Sequence, residues 1–222
     1  MSLEIINLRK LLKLMYLDQP ALTSALRADI RDDLARERGV VASGGDFYAP
    51  FWRDAKDHVF GLADLHEATD RRVDDNARRK NLYPLLRDGF LVWWNERRRW
   101  TNAPFEPIDT PRTRYRVPIV NVTVKIDSIL SVQDGRGDDH YIYPYWFSLP
   151  SLSDEAARVG LWLLSQALPQ INAQELRILD VIRGQNFALE RNNLQGDESE
   201  IFTRNYLRLV QRREQLLAEY DD

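Results

Sequence analysis

The densest chemistry in this sequence lies at WWNERRRWTN, residues 93–102. Arg97, Arg98 and Arg99 stand among Trp93, Trp94 and Trp100, and Arg112, Arg114 and Arg116 follow around Tyr115. Guanidinium groups beside aromatic rings suit phosphate contacts and base stacking. The same wording suits a helix end, where cations favour the dipole and tryptophans close over a core. Charge points to a local effect. The chain is acidic overall, at −3, which argues against a general nucleic-acid binder. Yet residues 71–116 hold twelve Arg and Lys against six Asp and Glu, a local +6 that leaves −9 for the remainder.

A second concentration is YIYPYWF, 141–147. Its Tyr141, Tyr143, Tyr145 and Trp146 are either core on both faces of a strand or an aromatic surface for a protein partner. Pro144 cannot donate to a sheet ladder, which argues for an edge strand or a bulge. His58 lies four residues after Asp54, and His66 four before Asp70, spacings that predict surface ion pairs on helices. No His-x-x-x-His metal motif, phosphate-binding glycine loop, dinucleotide fingerprint or Gly-x-Ser-x-Gly elbow occurs. Cysteine is absent, which excludes disulfides, thiolate metal sites and a cysteine nucleophile.

These residues need elements to hold them. The spacing of Leu3, Ile6, Leu8, Leu11, Leu12 and Met15 predicts a first helix. Asp18 before Pro20 reads as a cap for a second, running to about Gly39, with a glycine break at 41–46. Further helices are expected over roughly 47–60, 64–80 and 82–99. Prolines 104, 107, 111 and 118 close this helical half. Val120, Val122, Val124 and Ile126 then alternate with polar residues, as in a strand carrying Asp127 deep within it. Asp134-Gly135 marks a turn into a strand over 140–147. Ser153 followed by acids predicts a helix from Asp154 to about Leu168. LRILDVIR, 176–183, and NFALE read as paired strands, and a last helix spans about 197–220. Charges at Glu4, Arg9, Lys10 and Lys13 interrupt any leader-like apolar run, and no stretch approaches the about 20 residues of a membrane span, so a soluble cytoplasmic protein is expected.

The order of these later elements, together with KIDSILSVQDGRGDDHYIYPYWFSLPSLSDEAARVGLWLLSQALP, resembles the RecB-like branch of the PD-(D/E)XK nucleases. Lys125-Ile126-Asp127 matches the family's first acidic strand, Asp134-Gly135 its turn, Leu149-Pro150-Ser151 its loop and Asp154–Leu168 its helix. The resemblance covers about 105–220 and implies a restriction-endonuclease-like α/β core, with residues 1–104 a helical region packed on it in one unit. It also implies metal-assisted phosphodiester hydrolysis, which needs clustered carboxylates around Mg²⁺. Here the pattern departs from the family. Tyr143 and Tyr145 stand where the second acid and the lysine belong, and Gly160 and Leu164 where Gln and Tyr belong. Asp127 alone cannot hold the metal. A lysine moved to Lys125 and acids from Asp138, Asp139 and His140 are the alternative. Three expectations stand. The first is a catalytically silent nuclease-like protein, without cofactor, that binds nucleic acid or a DNA-processing partner. The second is an active Mg²⁺ nuclease using Asp127 and Lys125. The third is an interaction module docking through its aromatic strand.

Overall fold

The computed structural model describes residues 3–39, 47–100 and 102–221, so the expected glycine break at 41–46 lies outside the described residues. In chain order the elements are β1 (Ile5–Asn7), α1 (Leu8–Tyr16), α2 (Gln19–Glu37), α3 (Ala49–Val59), α4 (Leu65–Asp75), α5 (Tyr83–Val92), β2 (Glu106–Pro107), β3 (Thr113–Val117), β4 (Val122–Ile126), β5 (Leu130–Gln133), β6 (Asp139–Tyr145), α6 (Asp154–Ala167), β7 (Leu176–Asp180), β8 (Gln185–Ala188) and α7 (Glu198–Asp221). The protein is a mixed α/β structure with two mixed sheets.

The larger sheet runs β2-β5-β6-β7-β8. β6 and β7 are parallel, with α6 between them in sequence, and the other neighbours are antiparallel. Alternation along its strands feeds two cores. Tyr143, Tyr145, Ile178 and Phe187 face a core built with α1, α2, α6 and α7. Leu130, Val132, Ile142 and Leu179 face a second core containing Phe51, Trp52, Leu86 and Phe90 from α3 and α5. Helices thus cover both faces. The cut expected at residue 104 is not how the helices divide: α1 and α2 join the first core, α3 and α5 the second.

The smaller sheet, β1-β4-β3, corrects three strand expectations. Residues 5–7 are a strand and not helix, because β4 offers a free edge that Ile5, Ile6 and Asn7 pair in parallel. Thr113–Val117 form β3, which the flanking Pro111 and Pro118 obscured. Its turn into β4 occupies the expected strand start, with Asn121 at φ 52°. The long strand carrying Asp127 is broken: β4 and β5 belong to different sheets, and the chain turns between them at Ser128, φ 66°.

Local signals explain the helix ends. The Asp18 carboxylate accepts from Ala21 N–H at 2.8 Å and the Ser153 hydroxyl from Ala156 N–H at 3.2 Å. Gly160 lets α6 lie close on β7, since a Cβ there would stand 2.5 Å from Ile178 Cδ1. None of the described helices is long and apolar enough to cross a membrane.

Candidate nucleic-acid interface

The expected helix over 82–99 ends early, and its ending builds the site. After α5, residues Trp93–Arg97 form one π-helical turn, closed by Arg98 N–H donating to the Trp93 carbonyl at 2.8 Å. Such turns hold one extra residue per helical repeat and recur at functional sites. This one leaves Trp93 and Trp94 buried in the second core while Arg97 and Arg99 are exposed. Gly89 permits the close approach, because a Cβ there would collide with the Val181 and Ile182 carbonyls.

Arg97, Arg98 and Arg99 line one side of a cleft of about 620 Å³, and the turn and strand around β8 supply the other. Arg177 and Arg191 reach the same space. Arg97 donates to the Arg183 and Gly184 carbonyls at 2.9 and 3.3 Å, which fixes it without neutralising it. The Arg98 guanidinium lies 3.7 Å from the Trp94 ring centre, and its Nε and Nη1 are buried without hydrogen-bond partners. Burial lowers the pKa of Arg98 and of Arg177. Among the described residues none of these five arginines forms an ion pair, although Glu96, Asp154 and Glu190 also line the cleft.

Trp100 also lines the cleft, and behind it His140 stacks on its ring with centroids 4.0 Å apart. Burial, then the Arg177 charge, lowers the His140 pKa, so the ring is neutral near pH 7. Its Nε2 lies 3.4 Å from Asp134 Oδ2. Burial opposes ionisation of Asp134, but the Arg136 and Asp138 N–H groups and the Asn102 amide donate to it, and its pKa falls to about 2. The Asn102–Asp134 hydrogen bond and the Trp100–His140 stack tie the β5–β6 hairpin to the loop before β2. Their role is structural.

Asp127 sits at the break between the two sheets, and its partner is Arg9 of α1. The Arg9 side chain is only 4% exposed, while that of Asp127 is 39% exposed. The guanidinium also lies 4.3 Å from the Trp146 ring centre and donates to Ser128 Oγ at 3.2 Å. Arg9 N–H donates to the Tyr143 hydroxyl at 3.1 Å. Where the resemblance puts a second acid, a buried phenol therefore stands, and a permanent side-chain cation holds the lone carboxylate. The acids offered as replacements are remote: Asp138 and Asp139 lie at the opposite end of β6, roughly 13 Å from Tyr143 at strand rise. Asp139 accepts from the Gln133 amide at 2.9 Å. Among the described residues no group of three or more His, Asp or Glu could hold a metal ion.

The structure separates the two arginine sets. Arg112 and Arg114 line a different, shallower depression with Lys125 and Asp127, while Arg116 points at the turn and donates to the Asn121 side-chain oxygen. The aromatic strand corrects another expectation. β6 lies at the centre of its sheet, and Tyr143, Tyr145 and Trp146 are buried, so they form no docking surface. Tyr141 is half-buried. Pro144 is tolerated because the Tyr145 carbonyl accepts from Val181 N–H on the β7 side. Alternation then turns the proline nitrogen toward β5, whose ladder ends at the Leu130–Ile142 pair. The expected His–Asp pairs are also replaced. Asp54 accepts from Arg72 Nε and Nη2 at 2.9 and 3.0 Å, and Asp70 lies 3.8 Å from Arg87. A forked, permanently charged guanidinium outcompetes imidazole for a carboxylate.

Comparison with known proteins finds no matching family model, no matching curated protein and no matching solved structure.

Proposed function

We propose that this chain is a nuclease-like, non-catalytic nucleic-acid-binding protein whose ligand enters the cleft of Arg97, Arg98, Arg99, Arg177 and Arg191. The observation that carries the reading is the set of five arginines around one cleft of about 620 Å³, none of them ion-paired among the described residues. Five arginines against the three carboxylates of Glu96, Asp154 and Glu190 leave the cleft with an excess of positive charge, which favours a phosphate-bearing ligand. Arginine is the side chain suited to that task, since its fork meets phosphate oxygens in pairs. The asparagine and glutamine side chains of Gln185, Asn186 and Asn192 add donors that suit base edges or sugar hydroxyls.

Two further features support the reading, one for its nuclease-like half and one for its non-catalytic half. The β5–β6 hairpin, the α6 connection and parallel β7 follow the element order of a restriction-endonuclease-like core. The Arg9–Asp127 pair supports the absence of catalysis, because Arg9 supplies the positive charge that a metal would otherwise bring to Asp127. A cytoplasmic, cofactor-free protein acting within a DNA-processing or defence complex belongs to the same reading.

The test is fluorescence anisotropy with labelled single-stranded and duplex oligonucleotides at several salt concentrations. Arg97→Gln with Arg99→Gln should weaken binding at least tenfold and flatten its salt dependence, by about 0.7–0.9 in log–log slope for each phosphate no longer neutralised. Unchanged affinity and slope would remove the cleft as the interface. Mg²⁺-dependent cleavage by the wild-type chain that disappears in Asp127→Ala would overturn the non-catalytic half.

A further inference from the structure

The arginine cleft is not the only place where cations outnumber anions. Arg112, Arg114 and Lys125 line a shallow depression of about 410 Å³ in the smaller sheet, together with Thr113, Ile126 and Asp127. Arg114 and Lys125 are directly opposite one another across β3 and β4. Like charges placed so are destabilising, and most sheets avoid them. Among the described residues neither Arg112, Arg114 nor Lys125 forms an ion pair. The carboxylate that also lines the depression, Asp127, is engaged by Arg9 and so contributes little negative charge.

A fourth cation approaches from α3. The Lys56 ammonium donates to the Ile129 carbonyl, at the chain break that also carries Asp127. Its pKa is lowered to about 8, by burial and then by the charge of Arg112. The break itself is held under constraint. Ser128 keeps a left-handed backbone, with its carbonyl accepting from the Trp52 indole N–H and its hydroxyl donating to Asp127 Oδ1 at 3.0 Å. The backbone beneath the depression is therefore held in place, by the β3–β4 pairing on one side and the pinned break on the other.

We propose that this depression is a second anion site, independent of the arginine cleft, that receives one phosphate group between Arg112, Arg114 and Lys125. A tetrahedral dianion there would remove the repulsion between Arg114 and Lys125 and accept several charge-assisted hydrogen bonds at once. The phosphate can be free, or it can be the terminal phosphate of a nucleic-acid strand. The shared chemistry is a phosphate group with at least one non-bridging oxygen pair exposed.

The two sources are separable by experiment on the whole chain. Calorimetric titration with inorganic phosphate should give saturable binding that falls at least tenfold in Arg114→Gln with Lys125→Gln. Both side chains lie on a sheet surface that reaches solvent, and removing their repulsion should leave Tm unchanged or raise it, so lost binding with retained Tm is a ligand effect. Phosphate should also move the Lys56 Nζ titration, followed by NMR, upward from about 8, because a nearby anion favours the charged amine. The charged groups around that amine are Arg112 and the added phosphate. Arg97→Gln with Arg99→Gln should leave phosphate binding intact even where it abolishes oligonucleotide binding. A 5′-phosphorylated oligonucleotide that outbinds its unphosphorylated twin in the wild type, but not in the double variant, identifies the strand end as the source. Equal binding of the two oligonucleotides beside saturable inorganic phosphate identifies the free ion. No saturable phosphate binding to the wild type, or full binding by the double variant, overturns the proposal.

Discussion

Arg9 and Asp127 meet across 118 residues of sequence, and they are unequally buried: the arginine is enclosed and the carboxylate half-open to solvent. Removing the carboxylate strands a buried charge, whereas removing the guanidinium leaves an acid that water can reach. Asp127→Ala should therefore destabilise by about 3 kcal/mol. Arg9→Met, which keeps most of the packing on Trp146, should cost about half as much. Urea unfolding of the two variants checks the order, and a larger loss for Arg9→Met would mean that the pair is not what holds the sheet junction.

Asp134 gives an acid-side prediction. Its folded pKa, about 2, lies below the unfolded value of 3.8. A depressed carboxylate contributes stability that is present above the unfolded pKa and lost as pH falls through the folded one. Asp134→Asn should thus be less stable than wild type at pH 6, with the difference shrinking between about pH 4 and 2. Thermal unfolding followed by circular dichroism across that range measures it.

Lys56 behaves in the opposite window. Its folded pKa, about 8, lies below the ordinary 10.5, so the unfolded chain binds more protons between those values. Stability therefore rises as pH increases from about 8 to 10.5. In Lys56→Met that rise should be reduced, because the group whose charge is disfavoured by burial and by Arg112 is gone. Equal pH slopes for the two proteins would show that other groups set the alkaline behaviour.

Two glycines differ in what surrounds them. At Gly89 an added methyl meets backbone carbonyls of Val181 and Ile182, which cannot step aside. At Gly160 it meets the tips of Ile178 and Leu12, which can change rotamer. Gly89→Ala should cost about 3 kcal/mol or more and Gly160→Ala about 1 kcal/mol, the two ends of the overpacking range. Because Gly89 also seats the π-helical turn, Gly89→Ala should weaken oligonucleotide binding under conditions where it remains folded.

Much of this architecture is legible in the sequence. Asp18-Gln19-Pro20 and Ser153-Asp154-Glu155 announce α2 and α6, and both caps form. Arg97–Arg99, beside their aromatic neighbours, read either as phosphate contacts or as a helix end, and they line a cleft. Arg177 and Arg191, which complete it, carry no such signal, because they lie far along the chain and gather only through β7 and the turn after β8. Arg9 is legible in principle: a charged residue inside an apolar helical stripe, between Leu8 and Leu11, calls for a buried partner. The β4–β5 break shows in the sequence only as a slip at Ser128-Ile129 in the alternation that Leu130 and Val132 resume, and it is Arg9, Trp52 and Lys56, all distant in sequence, that pin the turn. The aromatics of β6 mislead for a related reason. Pro144 argues for an edge only if β5 extends past it, and β5 starts too late to need that hydrogen bond.

The pairing of β1 with β4 has a temporal consequence. Residues 5–7 find their strand partner only once residue 125 has been synthesised, and Met15 is bonded by Arg208, almost two hundred residues later. During translation the apolar stripe of α1 must therefore wait uncovered, while α3 and α5 can already gather around their own aromatic residues. Nascent chains arrested before α7 should bind hydrophobic-surface dyes or chaperones through that stripe, and lose this property when the last helix emerges.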